Sequence, residues 1–327
     1  VISFSEVIGE GFRAANRNWQ LILINLVGRV IGCILFLLIV IIPVLIALFM
    51  TGIGSLNITS FPTDFRAILI GHTGVILTGL SMLLLYIIII STVGLYLLGA
   101  YVGMLSRAVT EKAGFSLDRF FTEGKRMFLP TLRYTALLGL IGIGVIVGVS
   151  FLLTGIYALV MMLRSLSLTL SLFMAIFFGV TGGTAFLVLI FGLLGTGLYG
   201  LGIMAIREER AWNAFREALS LLVEQPALFL LSVILILGSM IISILLGIGG
   251  LPLRFIPVIG LVLGIPYQVL ATLIQGYTAI LVLGAGIAAL QQAGYRGDIQ
   301  TTAGMSTQDS GTSPGEGPLS GPSPPEE

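Results

Sequence analysis

From Pro130 to Ile206 the chain carries only two charged residues, Arg133 and Arg164. A helix needs about 20 apolar residues to cross a bilayer, so this stretch is too long for one crossing and has length for two or three. A soluble fold cannot clothe it. The chain is 57% hydrophobic and 9% charged, whereas a soluble domain carries roughly 25% charged residues. In lipid every backbone polar group must be satisfied internally, which leaves helices or closed barrels. The apolar runs here are continuous rather than alternating, and that excludes a barrel. The fold class is all-α integral membrane.

Apolar runs place spans at about 21–50, 74–105, 131–163, 167–206, 227–248 and 257–289, giving six transmembrane helices in a membrane domain of residues 1–293. Gly, Ser, Thr, Pro and acids dominate 294–327, so this segment cannot bury a core and is expected to be a disordered cytoplasmic tail. The count of crossings between Pro130 and Ile206 fixes the topology. With two crossings there, one face collects 13 of the 16 basic residues, and Arg66, Arg164 and Arg254 fall one per loop on the other. The positive-inside rule then puts both termini in the cytoplasm. A third crossing would move Arg207, Arg210 and Arg216 outside and spoil the asymmetry. Residues Val1 to Asn18 are amphipathic and mixed in charge, unlike a signal peptide, so the first span is expected to be its own insertion signal.

An internal repeat follows from this arrangement. Each odd-numbered span is preceded by an amphipathic segment on the cytoplasmic side: Phe4 to Trp19, Phe115 to Pro130 and Ala211 to Pro226. In the first, Phe4, Val7, Ile8, Gly11 and Phe12 fall at helical spacing, with Ser3 or Ser5 as the N-cap. The expectation is three units, each a surface helix plus a two-span hairpin. The alternative is that any cytoplasmic loop meeting a membrane tends to become amphipathic.

Polar residues inside the spans are few, and none is acidic. Proton or sodium coupling usually relies on intramembrane carboxylates, so an acid-based pump is disfavoured. Gln268, Thr272 and Gln275 share one face of the sixth span; Asn25 and Arg29 are paired by i, i+4 on the first; Ser232, Ser239 and Ser243 form a weaker stripe on the fifth. These eight residues either line a polar path through the membrane or bond across helices as interhelical contacts. The length of the first run lets Arg29 lie near the inner interface and snorkel outward. Pairs such as Gly28/Gly32, Gly99/Gly103, Gly144/Gly148, Gly179/Gly183 and Gly260/Gly264 allow close helix approach. Cys33, the single cysteine, reads as a small core residue.

No catalytic constellation is present. The one histidine, His72, lies in an outer loop, where Asn57-Ile-Thr59 also matches a glycosylation pattern. There is no His-Glu-x-x-His, phosphate loop or Gly-x-Ser-x-Gly motif. No cofactor or metal is expected, and a net charge of +1 without a dense basic cluster argues against nucleic acid.

The opening Phe4-Ser-Glu-Val-Ile-Gly-Glu-Gly-Phe-Arg13 with Asn18-Trp19, the segment Ala214-Phe-Arg-Glu-Ala-Leu-Ser-Leu-Leu to Pro226, and Ile256-Pro-Val-Ile-Gly260 with Gln275-Gly-Tyr277 carry a resemblance. Together they resemble the membrane domain attached to some prokaryotic glycerophosphoryl diester phosphodiesterases and related six-span proteins. The resemblance implies architecture and a prokaryotic plasma membrane, and no activity, because no phosphodiesterase catalytic domain lies in these residues. The expected function is that of a non-enzymatic membrane protein, a scaffold, assembly or regulatory factor for a membrane partner, a second copy of itself or a lipid. The alternative is a permease for a small or amphipathic substrate.

Overall fold

The computed structural model describes residues 3–50, 73–255 and 257–294. Helix α1 is Phe4–Arg17, α2 Gln20–Phe36 and α3 Ile42–Met50, with a π-helical turn at Leu37–Ile41 joining the last two. Then come α4 (Thr73–Thr110), α5 (Leu117–Arg164), α6 (Leu168–Arg207), α7 (Ala211–Glu224), α8 (Pro226–Phe255) and α9 (Pro257–Gln292). Among the described residues there is no strand. Six helices are long and apolar enough to cross a membrane, with α2 and α3 counting as one. The protein is a multi-pass membrane protein.

Local chemistry sets the breaks. Asn18 closes α1, its amide donating to the Ala14 carbonyl at 2.9 Å, and Trp19, half-exposed, precedes α2. Ser3 occupies the N-cap of α1 in an extended conformation, but its hydroxyl pairs with the Ser5 hydroxyl rather than with a backbone amide of the first turn. Pro43 explains the π-turn: its ring would clash with the Ile39 carbonyl four residues back, and a wider turn relieves that contact. Ser167 caps α6 by accepting from the Leu170 amide at 3.4 Å, and this turn after Arg164 separates α5 from α6.

Two expectations need correction. The second surface segment is not a separate helix: residues from Leu117 run without interruption through Pro130 to Arg164. Proline removes only one intrahelical hydrogen bond. Here Phe120, Met127 and Tyr134, spaced by sevens, are all buried on one face, and their packing keeps the helix continuous through it. Of the three segments expected as surface helices, only α1 and α7 are detached from the span that follows them. Helix α8 also runs past residue 248 to Phe255, with Pro252 inside it. His72, Asn57 to Thr59 and the tail from 295 lie outside the described residues.

The core lies at one end of the bundle. Val7, Ala14 and Ala15 of α1, Leu105 of α4, Met127 and Tyr134 of α5, Tyr199 and Ile203 of α6, Ala214 and Ala218 of α7, Leu228 of α8 and Leu290 of α9 are all buried there. The first and last described segments meet at this end, the Ser3 amide donating to the Gln292 side chain at 3.3 Å. Helix α1 lies against α9 where Gly11 faces Ala285 and Gly284, a crossing too close for larger side chains. Beyond this end the helices expose their apolar faces: Phe151, Phe173 and Val180 are each more than 60% accessible. Gly144, Gly148, Gly179 and Gly183 have no neighbouring atom within contact distance, whereas Gly99 and Gly103 rest directly on α5. Acyl chains solvate such faces as well as another helix does, so lipid supplies no drive to close the bundle there.

An ionic cluster holds the packed end together. Glu123 on α5, almost wholly buried, pairs with Arg107 of α4 at 2.8 Å and with Arg126 at 2.6 Å. Arg126 reaches on to Glu208 at 2.9 Å, and Arg207 to Glu217 of α7 at 2.7 Å. Gly103 makes room for the Glu123 side chain: a Cβ there would lie 2.8 Å from its carboxylate.

Candidate functional site

Three cavities differ in chemistry. One, of about 420 Å³, lies between α5, α6, α7 and α8; its only polar lining residue is Thr196, whose hydroxyl already donates to Gly192 in its own helix. Another, also about 420 Å³, sits on the polar surface among Glu6, Glu10, Arg13, Lys112 and Gln291, where Glu10 and Arg13 pair at 3.0 Å. The third is about 630 Å³, opens sideways between α2, α4 and α9, and combines apolar walls with a charged and amide-bearing lining. It is the candidate site.

Helical spacing builds it. Asn25, Gly28, Arg29, Gly32 and Cys33 of α2 recur at intervals of three and four, so they present one face to the cavity. Helix α9 contributes Gln268 and Thr272, and α4 contributes Tyr86, Ile90, Val93 and Leu97. The glycines set the width: positions 28 and 32 lie so close to α4 that an added Cβ would be 3.3 Å from Leu97 and 3.1 Å from Ile90. At one end the Asn25 amide presses on Gly276, 2.9 Å from where a Cβ would be. The Tyr86 hydroxyl bonds the Gly32 carbonyl at 3.4 Å, and its ring meets Phe36 edge-on.

Arg29 reaches across to α9. Its guanidinium donates sideways to the Gln275 side-chain oxygen at 3.2 Å. Measured along α2, it lies about 15 Å beyond Trp19. Among the described residues it is the only charged one lining the cavity, and it pairs there with no carboxylate.

Of the eight polar residues singled out from the sequence, the structure gathers five. Asn25, Arg29, Gln268 and Thr272 line the cleft, and Gln275 holds Arg29. The three serines stand apart. Ser232 is buried where α8 crosses α6, its hydroxyl donating to the Phe229 carbonyl at 2.7 Å, and Ser243 donates to Ser239 within the same helix at 2.9 Å. Cys33 is exposed on the cleft rather than packed in a core; its place four residues after Arg29 could have shown this. Tyr86 carries no sequence signal beyond being a lone phenol in an aliphatic run.

Among the described residues no group of three or more His, Cys, Asp and Glu side chains is placed to hold a metal. The cleft offers hydrogen-bond donors, one cation and apolar walls. No protein-family model matches the chain, and no curated protein or solved structure matches it either.

Proposed function

We propose that this is a non-enzymatic membrane protein that takes an amphipathic molecule from the bilayer into the cleft between α2, α4 and α9. The observation that carries this reading is the convergence of Arg29, Asn25, Gln268 and Thr272 on one laterally open cavity with otherwise apolar walls. Its volume falls within the roughly 300–1,000 Å³ typical of small-ligand sites. Along α2 the lining runs from Asn25 to Leu37, about 18 Å of helix against a hydrocarbon core of ~30 Å. A cleft of half the membrane depth suits retention of a lipid-like molecule better than an open conduit, and a permease would need a second conformation to complete the path.

The same reading includes a prokaryotic plasma membrane with both termini in the cytoplasm. The basic asymmetry of the loops supports it, as does the meeting of Ser3 and Gln292 at the end that also carries Arg107, Arg126 and Arg207. A reporter fused after Arg210 should then report the cytoplasm.

Binding is tested through the native cysteine. Cys33 lines the cleft, so a bulky maleimide on it should plug the cavity. The purified protein in nanodiscs should bind a fluorescent single-chain amphiphile, and the plugged protein should not. Equal binding by plugged and free protein would refute the site.

A further inference from the structure

We infer that the molecule held in this cleft is anionic: an acyl-chain amphiphile whose carboxylate or phosphate oxygens pair with Arg29. The inference rests on the cleft being a binding site and adds the charge and orientation of the ligand.

The argument begins with an imbalance. A guanidinium has five N–H donors in a planar fork that matches carboxylate and phosphate oxygens. Arg29 spends one contact on a neutral amide and faces no acid among the described residues. Charged side chains within a span are expensive, and usually face a partner or a water-filled cavity. The Gln275 bond orients this guanidinium along the cleft wall without neutralising it. Other chemistry there agrees with an anion. Asn25 and Gln268 bring further amide donors, Thr272 a hydroxyl, and no described lining residue is acidic.

Orientation follows from the order of residues along α2. Asn25 and Arg29 lie toward the packed end, whereas Ile34 and Leu37 lie deeper. An oxyanion at Arg29 therefore leaves its chain running toward the bilayer centre, between Leu37 of α2 on one side and Tyr86 of α4, which meets Phe36, on the other. That is the direction in which a lipid of the leaflet on the packed side already points.

Alkylation of Cys33 provides the readout. The wild type and Arg29→Gln would be reacted with a small maleimide in nanodiscs of neutral phosphatidylcholine. Oleate, 1-oleoyl-lysophosphatidate, 1-oleoylglycerol or inorganic phosphate would be titrated in. The two anionic amphiphiles should protect Cys33 at concentrations about 10- to 100-fold lower than 1-oleoylglycerol, the range covered by hydrogen bonds to a charged partner. Arg29→Gln should abolish that preference, and Arg29→Lys should keep part of it because the charge remains while the fork is lost. Gel filtration and a melting curve confirm that each variant is folded; should Arg29→Gln fail to fold, the Lys variant and the wild-type charge preference still decide. Equal protection by oleate and 1-oleoylglycerol in the wild type would overturn the charge assignment and leave the cleft reading intact. Protection by inorganic phosphate alone would overturn the assignment of a chain. Protection by none of the four would remove the binding site itself.

Discussion

Replacing Glu123 with Gln tests whether the ionic cluster holds the packed end together. The carboxylate is 3% exposed and touches Arg107 at 2.8 Å and Arg126 at 2.6 Å. Removing one partner of a buried ion pair costs about 3–5 kcal/mol, because the remaining charge is left uncompensated. Arg107 and Arg126 keep 39% and 34% of their side-chain exposure, so water recovers part of that loss. About 2–3 kcal/mol is the expected destabilisation. For a chain of this size that corresponds to a melting point lower by about 5–10 °C, readable by near-ultraviolet circular dichroism in mild detergent. Arg107→Gln should do less harm, since Glu123 retains Arg126, and Arg126 retains Glu208 in either variant. The double variant should be milder than the two single effects added together, with a coupling of about 1–2 kcal/mol. A Glu123→Gln protein melting within 1–2 °C of the wild type, a shift of less than about 1 kcal/mol, would refute the reasoning. So would strict additivity.

Other expectations follow from single contacts. Gly200→Leu should prevent stable folding, because any side chain there meets the Tyr134 ring, which is fixed by its bond to the Thr196 carbonyl at 2.6 Å. Gly148→Ala, where nothing lies within contact distance, should melt at or slightly above the wild type, since alanine favours a helix by up to about 1 kcal/mol. Tyr199→Phe removes the hydrogen bond to the Leu228 carbonyl at 2.9 Å and should cost about 1 kcal/mol, or a melting shift of about 2–4 °C. Gln268→Leu changes an exposed cleft residue. It should leave the melting curve unchanged and weaken amphiphile binding in the Cys33 protection assay. Unchanged binding would mean that the amide does not face the ligand.

The sequence by itself determined the class, the number of crossings and the turn after Arg164, because each depends on apolar length and on where charge cannot go. It also placed Asn25 with Arg29, and Gln268 with Thr272 and Gln275, since helical spacing alone puts them on shared faces. Which faces meet is a different question, and only tertiary structure decided it. The periodicity of one helix says nothing of its neighbour, so the faces of α2 and α9 look no more related in sequence than the serine stripe of α8. Contact between Asn25 and Gly276 and between Arg29 and Gln275 joined the first two, while the serines turned inward to their own helix or to the α6 crossing. Glu123 shows the same limit: in a charged stretch it reads as a surface residue, and it becomes buried only because Gly103 on α4 leaves space for it. Pro130 to Ile206, the run that imposed a membrane on the chain, gives α5 and α6 most of their length but contributes no residue to the cleft. Apolar length makes a helix span; the site formed where glycines on α2 let α4 come close beside a charged side chain.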